Sequence, residues 1–372
     1  KAQFPSGWSQ NIIYKKRIKS FESSLPSLDY SLATLAFSYN RGLHPLQWEL
    51  QINKEESLSE ERAVVYDSVG TGLGQYRYDP VFNTYVSDPN GASIAHSIST
   101  GKRDPTSNFE GSQRFMFDFG KIPGLPKLLI RSHSRLDYSA LKSDINKILR
   151  PEITDSTISR SRLESRLEII YSGKRRLLSW IENQHELNGL DPRGNDLHKT
   201  SSFGLDIEQS ISNILQVKLN TKHRTKIIKS TVSDLRNRKM AGWWNETRFH
   251  VSINSSFDFD IGFLTGFDSG EQQENSFTGH ALGYLVNGRF FFKKTGRLQT
   301  SMSWINAFEK NYGYKLPPEA LNGYPLGKSF RSNTRLQYFI NRSISMIFTL
   351  DTINDIRYKN FITFQGEIRA HF

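Results

Sequence analysis

The chain has 372 residues, no cysteine and a formal net charge of +12, so disulfide frameworks, cysteine–zinc sites and thiol nucleophiles are excluded. Only 37% of the residues are hydrophobic, and no apolar run approaches the roughly 18 residues of a membrane-spanning helix, which excludes a helical membrane protein. The basic residues are spread along strand-like segments rather than clustered, which argues against nucleic-acid binding.

The first 120 residues have a mixed pattern. Ser9–Leu25 combines isoleucines with lysines and predicts a short basic helix, whereas Leu28–Tyr39 and Leu46–Ile52 predict strands. Gly70–Asn90 is rich in turn residues and predicts two short aromatic strands. We interpret residues 1–120 as a smaller, β-rich N-terminal segment that is periplasmic, plug-like or partly associated with a barrel.

From Pro126 onward the pattern becomes regular, with segments of about ten residues that alternate apolar and polar side chains, as strands with one apolar face do. In Ser159–Tyr171, for example, Leu167 and Ile169 alternate with Arg166 and Glu168. The pattern predicts about twelve antiparallel strands, with a range of ten to sixteen, and twelve is an even number of the kind that such barrels use.

The connections between these segments alternate in length. Short turns are predicted near Ser172–Lys174, Ile211–Asn213, Asn254–Ser256, Lys293–Gly296 and Asn341–Ser343. Longer links are predicted near Leu187–His198, His223–Gly242, Phe267–Asn275, Phe308–Lys328 and Thr352–Tyr358. Such a rhythm is typical of an up-and-down barrel whose two ends face different compartments. The fold class predicted for residues 121–372 is therefore an all-β, up-and-down transmembrane β-barrel.

Aromatic residues gather near the predicted strand ends. Amphipathic rings favour the two membrane–water interfaces, where one edge of the ring is wet. The residues predicted for these interfaces are Tyr171, Trp243, Trp244, Trp304 and Tyr358.

The last segment, Phe361–Phe372, alternates apolar and polar residues and ends on an aromatic. It resembles the final strand of bacterial outer-membrane β-barrel proteins, a class-level resemblance that covers about Pro126–Phe372. The resemblance implies that Phe364, Ile368 and Phe372 form the signal for the barrel-assembly machinery. It also implies a location in the bacterial outer membrane, with outer-membrane lipid, the assembly machinery and other envelope proteins as partners.

The polar faces of the predicted strands are rich in charge. Because a mid-membrane Arg costs roughly 2–4 kcal/mol on the lipid side, these residues must face the interior of a barrel. The predicted lumen-lining residues are Arg131, Arg135, Arg162, Glu164, Arg166, Glu168, Lys218, Arg248, Arg297, Arg335 and Arg369. Their excess of positive charge favours anions if a channel exists.

No motif in the sequence indicates a cofactor, a metal site or an enzyme. The glycines at 70, 72 and 74 lack the lysine of a phosphate-binding loop, and no spacing links a serine to His133, His250, His280 or His371. The leading hypothesis is a channel or envelope transport component with a basic lumen. A structural barrel that anchors an upstream region or a partner protein, and a soluble secreted protein that binds polyanions, remain as alternatives.

Overall fold

The computed structural model describes residues 2–3, 6–19, 28–141, 147, 151–272, 275–292, 295–310, 316–341 and 343–370. Within these residues the regular structure is almost entirely β, in one sheet of nineteen strands. The strands are β1 Ala2–Gln3, β2 Trp8–Lys19, β3 Leu28–Asn40, β4 Leu46–Ser68, β5 Gly74–Asp79, β6 Thr84–Gly91, β7 Ser93–Asp118, β8 Leu128–Ala140, β9 Ile158–Ser172, β10 Arg175–Asn188, β11 Asp196–Ser210, β12 Leu215–Ser230, β13 Arg238–Asn254, β14 Phe257–Gln272, β15 Asn275–Phe291, β16 Gly296–Glu309, β17 Gly327–Phe339, β18 Ile344–Asn354 and β19 Phe361–Ala370.

Short 3-10 turns occur at Phe119–Lys121, Asp234–Arg236 and Ala320–Gly323. None of the helical segments in the described ranges has the length and apolar character needed to cross a membrane. The backbone donors and acceptors of the chain are therefore satisfied mainly between strands.

Almost every strand pairs with its neighbour in sequence. From β7 to β19 each strand lies antiparallel to the next, and β2, β3 and β4 form a meander of the same kind. β4 pairs with β7, and the hairpin of β5 and β6 extends from the connection between them. The predicted all-β, antiparallel arrangement is confirmed.

Two predictions about the strands are wrong. Twelve strands, β8 to β19, do follow Pro126, but β2 to β4 and β7 extend the same sheet, so a total of about twelve is too low. Ser9–Leu25 does not begin a helix, because β2 pairs along its whole length with β3. In the strand, Ile12, Tyr14 and Ile18 share one face, a period of two that the clustered lysines obscured.

The connections define two ends of the sheet, which we call the turn end and the link end. At the turn end, residues 173–174, 211–214 and 255–256 join strands where short turns were predicted. At the link end, the predicted links His223–Gly242 and Phe267–Asn275 are too long, since β12 continues to Ser230 and β14 to Gln272. Polar residues near the link end still pair across strands, and this pairing lengthens the sheet there.

The register gives the sheet two chemically distinct faces. Along β9, Arg162, Glu164, Arg166 and Glu168 share one face, and Leu167 lies on the other with its alternate neighbours. Following the cross-strand partners from β8 to β19 carries this division through the whole meander. We call the side of Arg166 the charged face and the side of Leu167 the apolar face.

Two tryptophans on the charged face lie over glycines of the next strand. Trp180 pairs with Gly204 and Trp244 with Gly266. A Cβ atom at position 266 would lie 2.4 Å from Cε3 of Trp244, and one at position 204 would lie 2.5 Å from Cε2 of Trp180. Glycine is required at both positions because the indole rings occupy the space of a side chain.

We expect Gly266→Ala to lower the free energy of unfolding by about 1–3 kcal/mol, because the added methyl group forces Trp244 out of its site. The measurement is urea unfolding in detergent, followed by tryptophan fluorescence. Gly111→Ala is the control, since the atom nearest to a Cβ there is 3.5 Å away. Equal stability of the two variants would contradict the packing described for Trp244.

Candidate functional site on the charged face

The strand register places all eleven residues predicted to line a lumen on the charged face. They lie on seven of the strands between β8 and β19. The residues are Arg131 and Arg135 on β8, Arg162, Glu164, Arg166 and Glu168 on β9, Lys218 on β12, Arg248 on β13, Arg297 on β16, Arg335 on β17 and Arg369 on β19. Together these positions form a ladder of positive and negative charges across one face of the sheet.

The densest part of the ladder lies on β8, β9 and β10. Glu168 accepts hydrogen bonds from Arg131, at 2.6 Å to Nε, and from Arg166, at 2.8 Å to Nε. Arg166 also donates through Nη1 to Glu182 at 2.8 Å, and its guanidinium lies 4.6 Å from the ring centroid of Trp180. These charge-assisted contacts satisfy Arg166 on three sides and hold it in one position.

Most of the other predicted residues are also paired. The further ion pairs are Arg162 with Glu164, Arg135 with Asp137, Arg248 with Glu246 and Arg369 with Glu367. Arg297 donates to Gln337 at 3.0 Å. The ladder therefore neutralises much of its own charge and leaves fewer sites for a solute.

Strand β12 carries the main surplus of positive charge. Lys218, Lys222, Arg224 and Lys226 all lie on the charged face, and Asn220 separates the first two of them. Of these, Arg224 is bound to Asp268, and Lys222 Nζ lies 5.4 Å from the centroid of Trp180. A column of cations along one strand is suited to attract anions.

The N-terminal strands contribute to the same charged face. A cavity of about 350 Å³ is lined by side chains from β4, β7 and β8. The charged and polar residues at its wall include Gln51, Asn53, Glu110, Arg114, His133 and Arg135. The polar lining predicted for residues after Pro126 thus continues onto strands that precede it.

Residues 316–326, which we call the capping loop, fold onto the charged face near the link end. Leu321 is fully buried and packs in one cluster with Trp244, Ala281 and Ile305. Leu316 and Ala320 pack beside it against buried residues of β13 and β15. The loop therefore covers part of the charged face with its own apolar side chains.

Asp268 is the polar anchor of the capping loop. Its carboxylate is fully buried and accepts three hydrogen bonds, from the backbone N of Leu321 at 2.7 Å, from Arg224 Nη2 at 3.0 Å and from Trp244 Nε1 at 3.2 Å. A buried charge is tolerated only when it is paired and hydrogen-bonded in this way. Leu321 and Asn322 have φ of 51° and 53°, so Asp268 also helps to hold a strained backbone.

A second ion pair fixes the start of the capping loop. Arg238 donates to both carboxylate oxygens of Glu319, at 3.1 Å from Nε and 2.5 Å from Nη2. Burial raises the pKa of Glu319, but the hydrogen bonds from Arg238 outweigh it, so the pKa lies below its usual range. Further on, Arg357 donates to the carbonyl oxygen of Gly323 at 3.0 Å.

The apolar face carries exposed aromatic residues in rows across the strands. Phe203, His223 and Trp243 are cross-strand partners, and their ring centroids lie 4.8–5.2 Å apart. The row continues through Phe267, His280 and Phe308 on β14 to β16. We call these six residues the upper aromatic row.

A second aromatic group lies on the same face towards the turn end. Phe257 and Phe290 pair across β14 and β15 with ring centroids 6.2 Å apart. Along β14, Phe257 lies ten residues from Phe267 of the upper row. At about 3.3 Å per residue the two groups are about 33 Å apart along the strand. A strand tilted by about 45° to a membrane normal would separate them by about 23 Å along that normal, close to the apolar band of about 25 Å in transmembrane β-barrels.

Four of the five predicted interface aromatics are well exposed. Tyr171, Trp243 and Trp304 lie on the apolar face, and Tyr358 lies in the connection before β19. Trp244 is the exception, because the register turns it to the charged face, where it is 6% exposed beneath the capping loop. The expectation of an interface role for Trp244 is corrected accordingly, since adjacent residues of a strand point to opposite faces.

The predicted assembly signal lies on an edge of the sheet. Phe364 and Ile368 are on the apolar face of β19 and are 67% and 70% exposed. Phe372 lies outside the described residues. Among the described residues, β19 pairs with β18 alone, and β2 pairs with β1 and β3.

Sequence reasoning missed the capping loop and its anchors. The prolines and glycines of Phe308–Lys328 predicted a surface loop, and neither Asp268 nor Arg224 was singled out. Leu316, Leu321 and Leu326 were the available signal, since three leucines in an exposed loop would have no partner.

No grouping of three or more metal-ligating side chains occurs in the described part of the chain. No family model matches the sequence, and no curated protein matches it. Among solved structures, the chain is similar to the ferric yersiniabactin uptake receptor FyuA from Yersinia pestis, with 8% identity, a TM-score of 0.43 and coverage of 98% of this chain and 68% of that one.

The ferric-catecholate import receptor Fiu from E. coli K12 is also similar. Its closed form gives 9% identity, a TM-score of 0.34 and coverage of 98% of this chain and 72% of that one. Its open form gives 8% identity, a TM-score of 0.30 and coverage of 99% of this chain and 80% of that one. Likeness of this degree assigns neither a family nor a function to the chain.

We expect Asp268→Ala to destabilise the capping loop by about 3–5 kcal/mol, because it leaves Arg224 buried without its partner. Hydrogen exchange followed by mass spectrometry should show faster exchange in residues 316–326. The control is Glu367→Ala, which removes an equal charge from an exposed pair on the same face. Unchanged protection of the loop in Asp268→Ala would show that Asp268 is not its anchor.

Proposed function

We propose that the chain is an outer-membrane β-barrel that acts as a transport component, with the charged face lining its interior. One observation carries the proposal: the same strands place charged residues on one face and exposed aromatic rows, spaced to match a bilayer, on the other. Large apolar side chains at 36–70% exposure, such as Trp243, Phe263 and Phe364, suit contact with lipid rather than water. This argues against the soluble polyanion-binding alternative.

We further propose that β2 and β19 close the sheet into a barrel of sixteen wall strands, β2 to β4 and β7 to β19. An even count in a meander leaves the first and last strands antiparallel, so β2 begins and β19 ends at the turn end. Closure would remove two open edges that carry exposed apolar residues and are otherwise an aggregation liability. In this proposal most of residues 6–118 belong to the wall, rather than to a periplasmic segment or a plug.

The proposed solute is an anion. Lys218, Lys222 and Lys226 add positive charge on β12, while many arginines of the charged face already have acidic partners. The capping loop narrows the interior beside this column, which makes the lysines the charges that a passing solute would meet.

An anchoring barrel is the second candidate. The observation that favours it is the filling of the interior, since the salt-bridged ladder and the capping loop both occupy space that a pore needs. In that function the wall would hold an upstream region or a partner protein at the cell surface, and no solute would cross.

Membrane insertion predicts recovery of the expressed chain in the detergent-extracted outer-membrane fraction. A closed barrel should also migrate faster on a gel before heating than after it, because the folded wall resists denaturation by detergent. Recovery as a monomer in detergent-free buffer would contradict the membrane proposal. Extraction into detergent without the change in mobility would contradict closure alone.

Anion transport predicts that Lys222→Glu combined with Lys226→Glu lowers the anion-to-cation permeability ratio several-fold in planar bilayers. The reason is that the pair of substitutions reverses the charge of the β12 column. Lys229→Glu is the matched control, since Lys229 lies on the same strand but on the opposite face. An absence of current in both the parent chain and Asp268→Ala, which frees the capping loop, would favour the anchoring function.

A further inference from the structure

A serine, a histidine and a carboxylate are hydrogen-bonded in line on the charged face, close to the turn end. His250 Nδ1 lies 2.7 Å from Asp260 Oδ1, and His250 Nε2 lies 3.0 Å from Ser252 Oγ. Each ring nitrogen therefore has one partner, the carboxylate on Nδ1 and the hydroxyl on Nε2. This network is separate from the capping loop and from the β12 column.

The strand geometry explains how the three side chains meet. His250 and Ser252 are two residues apart on β13, so they share a face, and Asp260 on β14 is the direct cross-strand partner of His250. No local sequence motif announces such a site, because its members depend on the pairing of two strands. The expectation of no enzymatic activity rested on the absence of that kind of motif.

The connectivity matches that of a nucleophilic relay. A carboxylate that accepts from Nδ1–H holds the imidazole in the tautomer whose Nε2 can take a proton from the serine hydroxyl. A serine is a weak nucleophile without such a base, and the base must itself be oriented by a third group. If Asp260 instead bound Nε2 of His250, Ser252 would face Nδ1.

The surroundings of Ser252 also suit a reactive group. The pairing of β13 with β14 is irregular between Ser252 and Asn254, and bulges of this kind occur next to active sites, where they re-aim a side chain. Asp258 is the cross-strand partner of Ser252, and Arg289 Nε donates to Asp258 Oδ1 at 2.8 Å. Arg289 thereby neutralises the Asp258 carboxylate, whose negative charge would otherwise oppose the attack of Ser252 on an ester.

We propose that Ser252, His250 and Asp260 form a hydrolytic site for carboxylic esters of polar, water-soluble molecules. Ser252 Oγ forms a bond to the ester carbonyl carbon while its proton passes to His250 Nε2. The carbon–oxygen bond to the alcohol breaks, and His250 returns the proton to the departing alkoxide. Water then attacks the acyl carbon and gives a proton to His250 Nε2. The bond from that carbon to Ser252 Oγ breaks, and His250 returns the proton to Oγ, which releases the carboxylic acid and free Ser252.

Polar esters are the expected class because of where the site lies. The site sits on the charged face, with Arg248 two residues before His250 and Arg289 in the row of Ser252. A long acyl chain would require an apolar groove there, which these neighbours do not offer. The site does not depend on the sheet spanning a membrane, so its test and that of the transport proposal are independent.

The test uses the full chain, folded in detergent, with a fluorophosphonate probe and p-nitrophenyl acetate. We expect covalent labelling of Ser252, identified by peptide mass spectrometry, and ester hydrolysis above the buffer rate. Ser252→Ala should abolish both, whereas Ser301→Ala should not change either. Ser301 is the matched control because it lies on the charged face of β16, with Asn287 and Asn333 as cross-strand partners.

Asp260 is a positioning residue in this proposal, and its variants keep the test informative if Ser252→Ala misfolds. Asp260→Asn should slow labelling by about 10²–10⁴-fold through loss of the correct tautomer, and Asp260→Glu should restore part of the rate. Folding of each variant is checked by its strand content in circular dichroism, which does not depend on closure of the barrel. Absence of labelling in the folded parent chain, or labelling of Ser252 that is unchanged in Asp260→Asn, would overturn the proposal.

Discussion

Cross-strand hydrogen bonding in a single continuous register is the constraint on which the rest of this structure depends. Because side chains alternate with a period of two, a slip of one residue in the pairing of β9 with β10 would place Arg166 on the same side as the apolar residues of β10. The register instead carries one face unchanged from β8 to β19. The charged ladder, the aromatic rows and the edge strands are all consequences of that continuity.

The charged face is held together by packing as well as by ion pairs. Glycines at 204 and 266 let indole rings occupy the space beside the neighbouring strand, and Trp244 then contacts both Asp268 and Leu321. The left-handed backbone of Leu321 is unfavourable by itself, and it persists because its side chain is buried and its N–H is bound by Asp268. The loop is therefore attached at a few defined contacts, and one substitution can release it.

The distribution of charge also separates structural residues from residues free to act on a solute. Arg131 and Arg166 are used in bonds to Glu168, and Arg238 is used in its bonds to Glu319. Lys222 and Lys226 of β12 lie on either side of Arg224, which contacts the capping loop through the carbonyl oxygen of Glu319. The ion pairs and the lysines of β12 thus lie on the same face. The transport proposal rests on the lysines, and the anchoring proposal rests on the ion pairs.

The sequence by itself determined the strand periodicity and the division of faces. The alternation in Ser159–Tyr171 predicted which side each charged residue takes, because that division is a local property of an extended backbone. It did not determine the length of the sheet at its N-terminal side, where clustered lysines in β2 hid a strand that only pairing with β3 stabilises.

Contacts between distant residues were decided by the tertiary structure. Leu321 meets Asp268 across 53 residues, and His250 meets Asp260 through the pairing of two strands. Trp244 was predicted for the membrane interface because it is an aromatic residue near a predicted strand end, but the register placed it on the charged face. The alternation of side chains depends only on neighbouring residues. A loop that folds back over a sheet depends on burial and hydrogen bonds that form only once the sheet exists.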